Sequence, residues 1–138
     1  MTNHSLAWSY LQKASARLAL LSILQKRRAY SDVVREAQEV VELALKGMLR
    51  MVGVEPPKWH DVGSLLLKHA DRYEKKVAVC LPQLAVTSEW LRGERELSFY
   101  GDVDFIPTEE YTSDHGRRAI AEARFAVRTA RRVIRKIP

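Results

Sequence analysis

The stretch from Ser31 to Gly53 constrains the fold of this chain more than any other. Val33, Ala37, Val40, Val41, Ala44, Met48 and Val52 recur at steps of three and four residues, which gathers them on one side of a helix and would scatter them over both faces of a strand. The other side carries Arg35/Glu39 and Glu42/Lys46, pairs four apart that meet on a helix surface. Ser31 and Asp32 offer an N-cap and an acidic first turn, and Gly53 a C-terminal stop. A helix with one apolar face needs another element to cover it.

The rest of the chain supplies only more helices. Ala7, Leu11, Ala14, Leu18 and Leu21 mark a first helix over 6–27, with Asn3 or Ser5 as its cap. Beyond the loop 54–60, where two consecutive prolines restrict the backbone, Asp61 caps a third helix. Its face is Val62, Leu65, Leu66, His69, Tyr73 and Val77. Pro82 fits the first position of a fourth helix that runs to Tyr100, with Leu84, Ser88, Leu91, Arg95 and Ser98 in one row. A polar loop over 101–111 precedes a last helix capped by Thr112 or Ser113. The buried stripe of that helix is Ile120, Ala123, Val127, Ala130, Ile134 and Ile137. No strand alternation and no internal repeat interrupts this order. The expectation is one all-α domain over 1–138: an up-and-down antiparallel four-helix bundle with one additional helix and a long connection before the last one.

Composition agrees with a folded helical chain, at 46% hydrophobic and 29% charged residues with few Gly and Pro. Cys80 is the only cysteine, so no intramolecular disulfide or cysteine-based zinc site forms within one chain, and a reducing compartment fits. There is no basic N-terminal region leading into an apolar core, and no stretch nears the roughly 20 apolar residues of a membrane span. A cytoplasmic location without membrane insertion is expected. The net charge of +6 is unevenly spread. Residues 1–116 carry 15 Lys/Arg against 16 Asp/Glu, whereas residues 117–138 carry 8 against 1. At 100° per residue, Arg117, Arg124, Arg128, Arg131 and Arg135 fall within about 60° of one another, away from the apolar stripe. Such a row is either a solvated face or a surface for an anionic partner.

Catalytic signatures are absent. There is no phosphate-binding loop, no dinucleotide fingerprint and no HExxH pair, and His4, His60, His69 and His115 are not spaced as metal ligands. Neither a cofactor nor a metal is expected. Asp102 and Asp104 read as turn residues that bond their own backbone. Arg92, Arg95 and Tyr100 at the end of helix 4 form the local cluster of most interest: a guanidinium grips phosphate and a neighbouring aromatic stacks on a base. The plainer alternative pairs Arg95 with Glu89, Glu94, Asp102 or Glu109. His60 reads either as a residue near a nucleotide or as a capping or interface histidine.

The segment Ala29-Tyr-Ser-Asp-Val-Val-Arg-Glu-Ala-Gln-Glu-Val-Val-Glu-Leu-Ala-Leu-Lys46 resembles the second helix of HEPN domains. Trp8 and Ala14, the run His60-Asp-Val-Gly-Ser-Leu-Leu66, the run Arg95-Glu-Leu-Ser-Phe-Tyr-Gly-Asp102, Pro107 and Tyr111-Thr-Ser-Asp114 follow the family in order. The resemblance implies a five-helix bundle, commonly a homodimer, acting in RNA metabolism or beside a minimal nucleotidyltransferase in toxin–antitoxin pairs. It matches Arg95 and His60 to family positions, and together with Arg92, Tyr100 and Asp102 of the local cluster these are the candidate nucleotide- or RNA-binding residues. Ribonuclease members carry Arg, four to six residues, then His. Here Arg95 matches the arginine, but Tyr100 stands where the His belongs, and a phenol with an ordinary pKa of about 10 is a poor base at neutral pH. Three functions follow. The first is a non-catalytic nucleotide- or RNA-binding partner of a nucleotidyltransferase, the second a ribonuclease toxin with an atypical site, and the third a structural dimerisation module.

Overall fold

In the computed structural model, residues 3–58 and 61–135 are described. Among them lie seven α-helical segments: α1 (Asn3–Lys26), α2 (Tyr30–Met51), α3 (Val62–Lys68), α4 (Lys75–Ala78), α5 (Leu81–Phe99), α6 (Pro107–Glu110) and α7 (Ser113–Val133), with one 3-10 turn at Ala70–Arg72. The four long helices, α1, α2, α5 and α7, form the bundle and alternate in direction.

Cross-contacts fix that alternation. The start of α1 meets the end of α2, where Arg50 donates to Asn3 Oδ1 at 3.2 Å. Farther along, Arg17 pairs with Glu36 at 3.3 Å. The far end of α1 meets the start of α7 through Gln25 Nε2 and the Ser113 carbonyl at 3.2 Å. The end of α5 approaches the first half of α2, with Arg95 3.5 Å from Glu39. The central element is α2, which packs on α1, α5 and α7, while α3 covers α5.

Most residues of the predicted faces are buried, with Leu18, Val52, Leu65 and His69 only partly so. Ala7, Leu11, Ala14 and Leu21 of α1 share one apolar cluster with Val33, Ala37, Val40, Val41, Ala44 and Met48 of α2 and with Ile120, Ala123, Val127, Ala130 and Ile134 at the C-terminal end. The last helix is shorter than its predicted stripe: it ends at Val133, and Ile134 is extended while still buried; Ile137 lies outside the described residues. Gly53 ends α2 as expected. At φ +79° it lets its own N–H reach the Arg50 carbonyl (3.1 Å) and that of Val54 reach the Leu49 carbonyl (3.0 Å), the double bond of a Schellman stop.

Four local expectations need correction. First, α2 starts at Tyr30 after Ala29, with no side-chain cap; Ser31 is buried inside the helix instead. Second, the predicted third helix is broken. Its first half ends at Lys68, and Tyr73 is extended because its hydroxyl donates to the Met48 carbonyl of α2 at 2.8 Å. Third, Leu81 precedes Pro82 in α5, so the proline takes the second position. Fourth, the polar connection contains a helical turn, α6, opened by Pro107.

Neither Asn3 nor Ser5 stands before α1, since both lie within that helix, but the caps placed at α3 and α7 hold. Asp61 accepts from the Gly63 N–H at 3.0 Å. Thr112 caps α7 in a reciprocal box in which His115 Nδ1, rather than a carboxylate, accepts the Thr112 N–H at 2.9 Å.

Candidate functional site

Arg92 and Arg95 sit one turn apart on α5, and both are engaged. Arg92 lies 3.5 Å from Asp61, the cap of α3, and Arg95 lies 3.5 Å from Glu39 on α2. Glu39 also meets Arg35 at 3.8 Å. The partner of Arg95 therefore comes from another helix, and not from Glu89, Glu94, Asp102 or Glu109. Glu94 instead accepts a hydrogen bond from the Tyr111 hydroxyl. Burial, and then this contact with the Glu94 carboxylate, push the Tyr111 phenol above its ordinary range and keep it a donor.

Helical spacing places Arg95 in one row with Leu84, Ser88, Leu91 and Ser98. Those four are buried, but the Arg95 side chain is 49% exposed. The half-exposed pairs here involve three guanidiniums and two carboxylates, so their net worth in stability is small, and the group stays accessible to an anion.

The aromatic side chains cluster at the end of α5. The Arg35 guanidinium lies 4.8 Å from the Phe99 ring centroid, and Phe99 meets Tyr100 edge-on at 4.8 Å. Tyr100 is 75% exposed. Asp102 takes the turn role: its N–H and carbonyl both bond Phe105 at 2.9 Å, and its carboxylate accepts the Val103 N–H at 2.7 Å. Gly101 permits this turn with φ +67°, and a Cβ there would lie 2.3 Å from the Phe105 carbonyl oxygen. His60 lies outside the described residues. Among the described residues no group of His, Cys, Asp and Glu is arranged to hold a metal ion, and no helix is long and apolar enough to cross a membrane.

The α7 arginines divide into two sets. Arg117 is bound at the helix start by Asp114 and by Ser113 at 2.9 Å. Its neighbour Arg118 stacks 3.7 Å over the Trp90 ring and pairs with Glu122 at 3.5 Å. In contrast, Arg124, Arg128 and Arg131 of α7 are exposed, as is Arg135, which leaves the predicted helical row because α7 ends at Val133 and Ile134 is extended; no carboxylate pairs with these four among the described residues. Arg131 donates to Ser15 of α1 at 3.3 Å.

This open row and the Arg95 cluster occupy different surfaces. The buried side of α2 faces α7, whereas Glu39 and Arg35 lie on its half-exposed side.

A family model for the HEPN domain matches residues 7–137. The chain belongs to the HEPN family. A curated relative of this HEPN chain, named "Putative toxin MJ1304", comes from Methanocaldococcus jannaschii. It is 24% identical over 121 residues, covering 83% of this chain and 78% of the relative. No solved structure gives a significant match.

One residue with a place at the surface was visible in the sequence only through the family resemblance. Trp8 is half-buried on α1 and lines a groove of about 620 Å³ against α7, shared with Arg131 and Arg135. At 100° per residue Trp8 lies about 60° from Leu11, the nearest member of the apolar face of α1, so periodicity places it beside that face without assigning it a role.

Proposed function

We propose that this HEPN protein is a non-catalytic RNA-binding member of a toxin–antitoxin-type pair, acting as one domain and as the accessory of a minimal nucleotidyltransferase chain. The observation that carries the RNA reading is the row Arg124, Arg128 and Arg131 on α7 with Arg135 just past its end, all exposed and unmatched by carboxylates among the described residues. Neighbouring like charges repel one another, and an anionic polymer relieves that repulsion. The name of the relative supports the toxin–antitoxin setting, and the family resemblance supports the nucleotidyltransferase.

The non-catalytic reading rests on the α5 cluster. Arg95 has a carboxylate partner, Tyr100 stands in the position of the family's base, and His115 is engaged as the cap of α7. The test is fluorescence anisotropy of a labelled RNA across a salt series, with a gel assay for cleavage. Binding that weakens steeply with salt, together with intact RNA, is expected. A flat salt response removes the RNA reading. Cleavage that is lost in Arg95→Ala establishes the ribonuclease alternative.

A homodimer belongs to the same proposal, with one observation for its contact. Leu20, Ile23 and Phe99 are 46%, 55% and 51% exposed and line one apolar groove between α1 and α2, more than isolated surface apolar residues need. Sedimentation velocity checks it: Ile23→Glu shifts a dimer to monomer, and an unchanged species removes this contact.

A further inference from the structure

We infer that the groove between α1 and α7 is a base-stacking subsite, so that the RNA bound by this protein is single-stranded with one unstacked base seated on Trp8. This rests on the RNA-binding reading above and adds what kind of RNA it is. The floor of the groove is apolar, made by Trp8, Leu11 and Ile134, and its rim carries Ser15, Arg131 and Arg135. Its volume of about 620 Å³ falls in the range of small-ligand sites, about 300–1,000 Å³. Leu11 is 4% and Ile134 2% exposed, so the floor is held by the core and does not depend on a mobile side chain.

The arrangement joins two elements that single-strand binders combine: an aromatic platform and guanidiniums that follow the backbone. Arg131 on α7 and Arg135, just past the end of that helix, both line the groove, and from Arg131 the exposed row continues along α7 through Arg128 and Arg124. A strand laid along that row meets successive arginines with its phosphates and turns a base into the groove beside them. A duplex offers the same phosphates, but its bases are paired and stacked inside, out of reach of Trp8. The occupant is an anion with an apolar planar group, because a purely apolar segment would give Arg131 and Arg135 no negative charge to meet. A free phosphate would leave the tryptophan floor uncovered.

The experiment compares an unstructured labelled oligoribonucleotide with a perfect RNA duplex of the same length by anisotropy, for the full chain and for Trp8→Leu and Ser15→Glu. Trp8→Leu keeps an apolar floor and removes the ring. Ser15→Glu sets a carboxylate against Arg131, its present hydrogen-bond partner, on the wall of the groove. The unsubstituted chain is expected to prefer the single strand. Trp8→Leu should weaken single-strand binding roughly fivefold to a hundredfold, the range of one base–aromatic stack, with duplex binding and the salt slope unchanged. Ser15→Glu, whose side chain needs no core space, should also weaken the single strand.

Equal single-strand affinity in Trp8→Leu and the unsubstituted chain overturns the subsite while leaving RNA binding intact. So does equal affinity for the two RNAs. A change of oligomeric state in Ser15→Glu by sedimentation velocity also overturns it, and assigns the groove to a second copy of the chain. No binding of either RNA by the unsubstituted chain at low salt defeats the RNA reading itself.

Discussion

Glu42 shows how the polar side of α2 is held. Burial on its own raises the pKa of its carboxyl, but hydrogen bonds from Gln38 and Lys46, with the charges of Lys46 and Arg95, outweigh that and leave it below its ordinary 4.5. The bonds are 3.0 Å from Gln38 and 3.1 Å from Lys46. A lowered carboxylate pKa means that the folded state favours the ionised form. The stabilisation is therefore complete above pH 4.5 and is lost as pH falls through the folded value. Urea unfolding between neutral pH and about pH 3 should show a shallower acid decline for Glu42→Gln than for the unsubstituted chain. Parallel declines would remove this role. The sequence showed the Glu42/Lys46 pair, since both partners lie on one helix four residues apart. It did not show Glu39 as the partner of Arg95, because those residues meet only after α5 packs against α2.

At the scale of elements, the helices legible in the sequence are those whose ends are set locally. Gly53 stops α2 by its own positive φ, and Asp61 caps α3 with its own side chain. The break after Lys68 was not legible, because its cause is a tertiary hydrogen bond. The apolar residues Val62, Leu66, Tyr73 and Val77 keep helical spacing across it, and the Met48 carbonyl that holds Tyr73 lies 25 residues upstream. Tyr73→Phe leaves that buried carbonyl without its donor and should cost about 1–3 kcal/mol by chemical denaturation; a loss below about 0.5 kcal/mol would mean the bond does not set the break. His115 offers a gain. A glutamate at the third position of α7 accepts the same Thr112 N–H and adds negative charge at the positive helix end. His115→Glu should therefore raise stability by about 0.3–1 kcal/mol, read as a higher Tm. A lower Tm would mean that the edge contact of His115 with Tyr111, at 5.4 Å, matters more than the cap.

For the whole molecule, the bundle and its family were legible because apolar periodicity and the Ala29–Lys46 segment need no tertiary information. The separation of its two basic surfaces did. Sequence places Arg95 on helix 4 and the arginine row on the last helix, but only packing around α2 shows that one opens between α2 and α5 and the other on the far side of α7. That separation makes a prediction with two arms. Arg124→Ala with Arg128→Ala removes two exposed guanidiniums. If both meet phosphates of a bound single strand, the plot of log affinity against log salt becomes shallower by about 1.4, at about 0.7 per contact. Arg92→Ala with Arg95→Ala removes the same charge from the other surface and should leave that slope unchanged. Because the α7 pair is exposed and its removal relieves repulsion between like charges, Tm should stay level or rise slightly. Equal changes of slope in both double variants would mean that RNA contacts both surfaces, and a change only in the Arg92/Arg95 variant would move the RNA interface to the α5 cluster.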